Sequence, residues 1–312
     1  MSELPIAVFG YNRPESMRRL LNNLRRCVGY EEARIHVFLD GPRSEADLEA
    51  VAQTRAEVEA VAERDWQIVQ SPVNKGLKRS VFDGVSHVCD RWGKVVVLED
   101  DLQLGASALA YFRRALADFR DEDRVKSICG YMFGVPSFEN REDAFLLPYT
   151  HPWGWATWAR AWRGFDPFQP VDPVWTKAAS FQSAFDLDGF FPLTAMLKLD
   201  EEGLISSWYI RWYLKLFAEG GLSLFPARSQ ISNWGVGAGT HGGPMNPMRM
   251  LRPRGSPLSD AIPNLPNVVR ADYAALDAMK SCDELKAHRL IARAGEVKRR
   301  LKGGIHRYGG KA

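Results

Sequence analysis

Three consecutive acids, Glu99-Asp100-Asp101, follow the apolar run Val95-Val96-Val97-Leu98. Such a run is a buried strand, and three carboxylates at its carboxyl end repel one another unless a cation or donor groups neutralise them. A hard divalent ion meets that need. Oxygen ligands select Mg2+ or Mn2+, which complete their shells with water and substrate phosphate oxygens. The same acids would also suit a helix start, where the macrodipole alone favours negative charge. Other strand ends carry the partners this chemistry needs. Asp40 closes a second apolar run ahead of Gly41-Pro42, at a rim where a carboxylate can accept a base imide N–H or a ribose hydroxyl, or can form an Asx turn. Arg13 leaves a first run in a loop, placed to pair with a diphosphate or with a surface acid. Lys75 and Lys78 flank the end of a third run at Asn74-Lys75-Gly76-Leu77, where they either hold phosphate or ribose or belong to a plain turn.

The elements that must position these groups alternate. Residues 5–9 read as a strand, and Pro14 opens a helix with an apolar stripe of Met17, Leu20, Leu21, Leu24 and Val28. Ile35–Leu39 is a second strand. Ser44-x-x-Asp47, a weak relative of the capping box, precedes a helix near 44–64. Gln67–Gln70, a helix near 77–91, the strand at 95–98 and a helix over Ser107–Phe119 continue the pattern. Strand–helix alternation predicts an α/β fold with a mostly parallel sheet, whose ligands bind at the carboxyl ends of the strands. After residue 150 come eight of the ten tryptophans, among many Pro and Gly, and irregular loops with short helices are expected there. A connector near 250–270 and a helix-competent basic segment, 271–301, complete the chain.

Composition narrows the class. With 46% hydrophobic and 25% charged residues over 312 positions, the chain is globular, and disordered or coiled-coil readings fall away. No apolar run approaches the roughly 18 residues of a membrane span. The start, Met-Ser-Glu-Leu-Pro, does not read as a secretory signal, so a cytoplasmic protein is expected. Cys27, Cys89, Cys129 and Cys282 show no metal-site spacing and read as reduced core thiols. A net charge of +3 does not suggest nucleic acid. Residues 286–312 hold nine Lys/Arg against Glu296 alone, which makes this tail either a peripheral contact with anionic membrane or a solvated helix end.

In their order and spacing, the strand with Gly10-Tyr11-Asn12-Arg13-Pro14, then Val37-Phe38-Leu39-Asp40-Gly41, Asn74-Lys75-Gly76-Leu77 and Val95–Asp101 resemble a nucleotide-sugar-dependent glycosyltransferase of the GT-A fold. The chain looks most like bacterial family-2-type enzymes related to N-acetylglucosaminyltransferase I, whose metal motif also reads Glu-Asp-Asp. The similarity runs over about 5–245, through His151-Pro152-Trp153-Gly154-Trp155-Ala156-Thr157-Trp158 and Asn233-Trp234-Gly235 to Thr240-His241. It implies Asp101 as the Mn2+ or Mg2+ ligand, with Glu99 and Asp100 near donor sugar and ribose, Asp40 at the base and Arg13 by the nucleotide. His241 resembles a late histidine that reaches metal or diphosphate, or is a plain loop residue. Residues 1–125 would bind a nucleoside-diphosphate sugar, UDP-linked, 126–250 a glycan or glycolipid acceptor, and 251–312 would be linker and tail. The implied reaction is hexosyl or N-acetylhexosaminyl transfer with inversion, as in polysaccharide biosynthesis.

Two features keep rivals open. Trp153, Trp155, Trp158 and Trp208 either offer flat faces to sugar or pack in the core, while Gly154 lets backbone approach the donor. An inverting transferase also needs a general base. Where the related enzymes place an Asp after a Trp at a helix start, this chain has Trp208-Tyr209, and Tyr is a poor base at neutral pH. Asp200, Glu201, Glu202 and His241 are the substitutes; the alternatives are retention of configuration, or an inactive module that binds glycan, with Tyr209 part of its surface. A sugar-phosphate nucleotidyltransferase would need an early Gly-rich phosphate loop, which residues 10–14 lack.

Overall fold

The computed structural model describes residues 3–63, 65–172, 176–234 and 257–282. It opens with β1 (Leu4–Gly10), α1 (Pro14–Leu24), β2 (Ala33–Leu39), α2 (Leu48–Val61), β3 (Gln67–Gln70), α3 (Leu77–Trp92) and β4 (Lys94–Glu99), the alternation expected. Next come β5 (Leu102–Leu104), α4 (Ala108–Asp118), β6 (Val125–Cys129), β7 (Ala144–Leu147), β8 (Trp155–Trp158) and α5 (Ala159–Trp162). The described chain ends with α6 (Ala179–Phe185), α7 (Leu193–Glu201), α8 (Trp208–Ala218), β9 (Leu222–Pro226), β10 (Ile231–Asn233) and α9 (Tyr273–Ser281).

Eight strands make one sheet in the order β3-β2-β1-β4-β8-β6-β9-β7, and β10 pairs with β5 apart from it. Strands β3, β2, β1 and β4 are mutually parallel, β8 runs antiparallel to both β4 and β6, and β9 is parallel to β6 but antiparallel to β7. The fold is thus α/β around a mostly parallel sheet. Side chains alternate between its faces as a period of two requires. Leu4, Ile6 and Val8 of β1, with Val96 and Leu98 of β4, pack under α1, α2 and α4. Ala7, Phe9, Val95 and Val97 pack on the other face, under α3 and α8.

The chain beyond residue 150 departs from the irregular structure expected of it, since it supplies β8 and β9 to the main sheet. Strand β8 lies between β4 and β6 and is buried on both faces. Trp155 joins one layer and Trp158 the other, so no polar alternation marks the strand. Two smaller expectations also shift. α1 ends at Leu24, which leaves Val28 63% exposed rather than in the stripe. Ser44 makes no side-chain cap; Asp47 instead pairs with Arg43 and accepts from Asn12. All four cysteines are buried free thiols.

Part of the expected linker is packed onto the domain. Ser107 Oγ donates to Ser259 O at 3.2 Å, and α9 buries Ala275, Leu276 and Met279 against the third core cluster, beside β6, β7 and β9. The basic tail and its membrane expectation lie outside the described residues, among which no helix is long and apolar enough to cross a membrane.

α3 sits close on the sheet at Gly84. A Cβ there would come within 2.6 Å of Phe9 Cε1 and 3.0 Å of Phe38 Cδ2, two rings that stack at 5.2 Å. Gly84→Ala is therefore expected to cost about 1–3 kcal/mol through forced repacking. Urea unfolding checks this, and an unchanged midpoint would refute the close fit.

Candidate active site

Because β1, β2 and β4 run parallel, their carboxyl ends open on one edge, where a cleft of about 320 Å³ lies. Arg13, Asp40, Glu99, Asp100, Asp101 and Trp153 all line it. Six of the predicted site residues thus meet although they are spread over 141 positions, from residue 13 to residue 153.

The acids at the end of β4 are held in a state that calls for positive charge. Burial, then Asp101 and Asp100, push the Glu99 carboxyl up to about 8 against the pull of Arg13. Burial pushes Asp100 up to about 7, with Arg13 opposing and Asp101 adding. Asp101 is raised by burial too, with Arg13 and the Asn233 side chain acting against it. Arg13 answers for only one unit of charge: its Nη1 stands 3.3 Å from Asp100 Oδ1 and 3.3 Å from Asp101 Oδ2. In this structure it therefore bridges the acids. An all-oxygen donor set with unbalanced negative charge fits a hard divalent ion. Among the described residues no three metal-ligating side chains cluster, so water and substrate oxygens would supply most of the shell, as Mg2+ and Mn2+ prefer. His241 lies outside the described residues.

Asp40 takes the turn-forming role. Its Oδ1 accepts from the backbone N–H of Gly41 (2.9 Å) and Lys75 (2.8 Å), and its Oδ2 from that of Gly76 (2.9 Å). Gly76 sits at φ +78° before the first residue of α3, a conformation that favours glycine. Asp40 thus ties the end of β2 to the start of α3 and keeps little acceptor capacity for a base. The Lys75 side chain is turned to Asp83, 3.4 Å away. Tyr11 and Arg43, which the sequence pattern did not single out, also line the cleft. Arg43 lies 5.3 Å from the Tyr11 ring centroid and donates to its hydroxyl at 3.2 Å. The signal is present in the Gly-Tyr-Asn-Arg-Pro loop, where Tyr11 lies two residues from Arg13.

Lys78 and Asp200 serve each other. Lys78 Nζ lies 2.8 Å from Asp200 Oδ1 and 2.9 Å from Oδ2, and Asp200 also holds Arg211 Nε and the Ser207 N–H. Burial alone would raise the Asp200 carboxyl, but Lys78, the Ser207 N–H and Arg211 together hold it below its usual range. A carboxylate with no exposed side-chain surface and two cations on it is a poor proton acceptor. Glu201 pairs with Arg211 and accepts from Val171 N at 3.2 Å, while Glu202 stands exposed just after α7.

The aromatic residues divide. Trp153 reaches the cleft, but Trp155 and Trp208 are buried and stacked on each other at 5.3 Å, with Trp212 5.7 Å from Trp155. They are core, not sugar platforms. Gly154, at φ +61°, is needed for packing: a Cβ there would strike Ile231 Cγ1 at 2.7 Å. Tyr209 donates its hydroxyl to Thr150 O at 3.1 Å, and burial raises it well above its usual value, so it does not replace the missing base. His151 is buried against Tyr131, with ring centroids 4.7 Å apart, and burial lowers it to about 3. His36, beneath α3, is lowered to about 4 by burial, then His87 and Arg91. Both bind protons less readily folded than unfolded, so the stability they confer is intact above pH 6.5 and lost as pH falls from there. At pH 5 each is expected to cost roughly 2 kcal/mol relative to pH 7. Because Glu99 and Asp100 shift the other way, the check is a His36→Gln variant beside the wild type: between pH 7 and pH 5 the wild type should lose more melting temperature, or gain less, than the variant, and parallel profiles would contradict the sign.

No family model and no curated protein matches the sequence. Several solved structures are similar at low identity. One is the mannosyltransferase PcManGT from Pyrobaculum calidifontis in complex with GDP-Man and Mn2+, at 12% identity and a TM-score of 0.41, covering 70% of this chain and 69% of that one. GalNAc-T7 with UDP, GalNAc and Mn2+ is 9% identical, with a TM-score of 0.49 over 75% of this chain. TarS from S. aureus is 17% identical, with a TM-score of 0.37 over 62% of this chain. The chain spans 44% of the length of GalNAc-T7 and 33% of that of TarS.

Proposed function

We propose that the protein is a metal-dependent glycosyltransferase, of the GT-A type related to N-acetylglucosaminyltransferase I, that uses a UDP-linked sugar to glycosylate a glycan or glycolipid. The observation that carries this is the under-neutralised set of three acids at the end of β4, facing Arg13 in the cleft at the strand ends. Asp101, with Asp100 beside it, would hold Mn2+ or Mg2+, which as a Lewis acid favours departure of a diphosphate. Arg13 would move from its acids to the developing negative charge, where fixed donors stabilise it. The Asp40-tied loop and Tyr11 would bound the nucleoside, and Trp153 the sugar end. Lys78 and Asp200 would brace α3 rather than touch substrate, and the acceptor's proton would pass to another group than Asp200.

Calorimetric titration with UDP tests the reading. Binding is expected with Mn2+ present and is expected to weaken at least about tenfold when the metal is chelated. Metal-independent binding, or none, would overturn it.

A further inference from the structure

Asp100 and Asp101 are fixed in place by neutral donors but neutralised by a single cation. The Tyr11 backbone N–H donates to the Asp100 carboxylate, and the Asn233 side chain donates to that of Asp101. The Asp101 main chain is held as well, because the Trp234 N–H donates to Asp101 O at 2.8 Å. Trp234 is in turn anchored by its indole N–H on Gln103 Oε1 and by the Arg19 guanidinium, 5.8 Å from its ring centroid. Arg19 pairs with Glu15, so among the described residues Arg13 alone forms ion pairs with the two acids.

That pairing uses little of what an arginine can do. One atom, Nη1, is shared between Asp100 Oδ1 and Asp101 Oδ2 at 3.3 Å each, whereas a charge-assisted bond closes to about 2.7–2.9 Å and the guanidinium fork favours two parallel bonds to one group. Neither Nε nor Nη2 of Arg13 donates to a described residue. The side chain is 22% exposed, stands directly before α1 and lines the same cleft as the acids. A diphosphate in that cleft would offer the fork the paired oxygens that the two acids do not. A divalent ion and Arg13 therefore compete for the same carboxylate oxygens, while those oxygens and a diphosphate compete for Arg13. We infer that Arg13 couples the two ligands: its guanidinium opposes a divalent ion at Asp100 and Asp101 until a diphosphate draws it away, so that metal alone is held weakly and metal with nucleotide tightly. By linkage, the metal strengthens nucleotide binding by the same factor. The inference rests on the metal-dependent function proposed above and adds to it a control on when the ion is held.

Electron paramagnetic resonance of Mn2+ titrated into the full chain without nucleotide tests it, because the sharp signal of the free ion is lost on binding. Arg13→Met is expected to bind Mn2+ about tenfold to a hundredfold more tightly than the wild type, since a unit positive charge beside the ion's ligands is gone. Arg13→Lys, which keeps the charge, should stay nearer to the wild type. UDP should raise the affinity for Mn2+ by a larger factor in the wild type than in Arg13→Met. Melting gives a second reading: Arg13→Met should melt lower than the wild type, and Mn2+ alone should raise its melting temperature by more than it raises that of the wild type. Mn2+ bound by Arg13→Met no more tightly than by the wild type, or an equal gain in Arg13→Lys and Arg13→Met, would overturn the inference and leave the proposed function standing. Failure of the wild type to bind UDP with Mn2+ would overturn that function, whereas the comparison of variants without nucleotide would still read the competition.

Discussion

Asp101→Asn is expected to abolish manganese-dependent UDP binding and, at the same time, to raise the melting temperature of the free protein. The two effects share one cause. Glu99 and Asp100 titrate near 8 and 7 because burial and neighbouring carboxylates disfavour their charged forms. An acid whose folded pKa lies above its unfolded value stabilises the fold below the unfolded value and progressively less as pH rises toward the folded one. Removing the Asp101 charge relieves its neighbours, and Arg13 keeps Asp100 as a partner at 3.3 Å. The gain in melting temperature should therefore be larger at pH 8 than at pH 5. Function moves the opposite way: with the proposed metal ligand gone, turnover of a UDP-sugar should fall about 10²–10³-fold, the scale on which one charge-stabilising group acts. Melting curves at the two pH values and titration with Mn2+ and UDP check both halves. A lower melting temperature would refute the strain at the acids, and unchanged metal-dependent affinity would refute Asp101 as a ligand.

The cleft was legible because parallel strands turn linear order into a shared edge. Asp40 and the acids of 99–101 come directly after an apolar run and Arg13 three residues beyond β1, and runs that pair in parallel must deliver their trailing residues to one place. How each side chain spends its hydrogen bonds there could not be read. Asp40 reads either as a rim acceptor or as a turn-former, and which of them holds depends on the loop amides of residues 41, 75 and 76 that occupy it. The second half was harder for a related reason. Trp155 and Trp158 point to opposite faces of a strand buried on both sides, so indoles in Gly- and Pro-rich company imitate an exposed, sugar-facing loop. Trp234, which is exposed, carries no periodic signal at all, and only its three anchors distinguish it.

Asp200 shows why residue type and neighbourhood do not assign a role. As an acid near the helix start that lacks the expected carboxylate, it is a candidate general base by sequence, and the structure makes it the anion of a buried network instead. Lys78 comes from the first turn of α3, beside the cleft residues Leu77 and Ser80, and Arg211 from α8, so one carboxylate joins two elements 133 positions apart in sequence, from residue 78 to residue 211. Their side chains are 11% and 8% exposed. Asp200→Ala would leave Lys78 buried without an anion and Arg211 with Glu201 alone, and a cost of about 3–5 kcal/mol is expected. Asp200→Asn should recover little of it, since a neutral amide cannot compensate two cations. A general base behaves differently: Asn in its place would preserve the melting temperature and cut turnover by about 10²–10⁴-fold. A double variant separates the two further, because adding Lys78→Met to Asp200→Ala removes one orphaned charge. It should then be more stable than Asp200→Ala alone, a coupling that contact between the two groups requires and that catalysis by Asp200 would not produce.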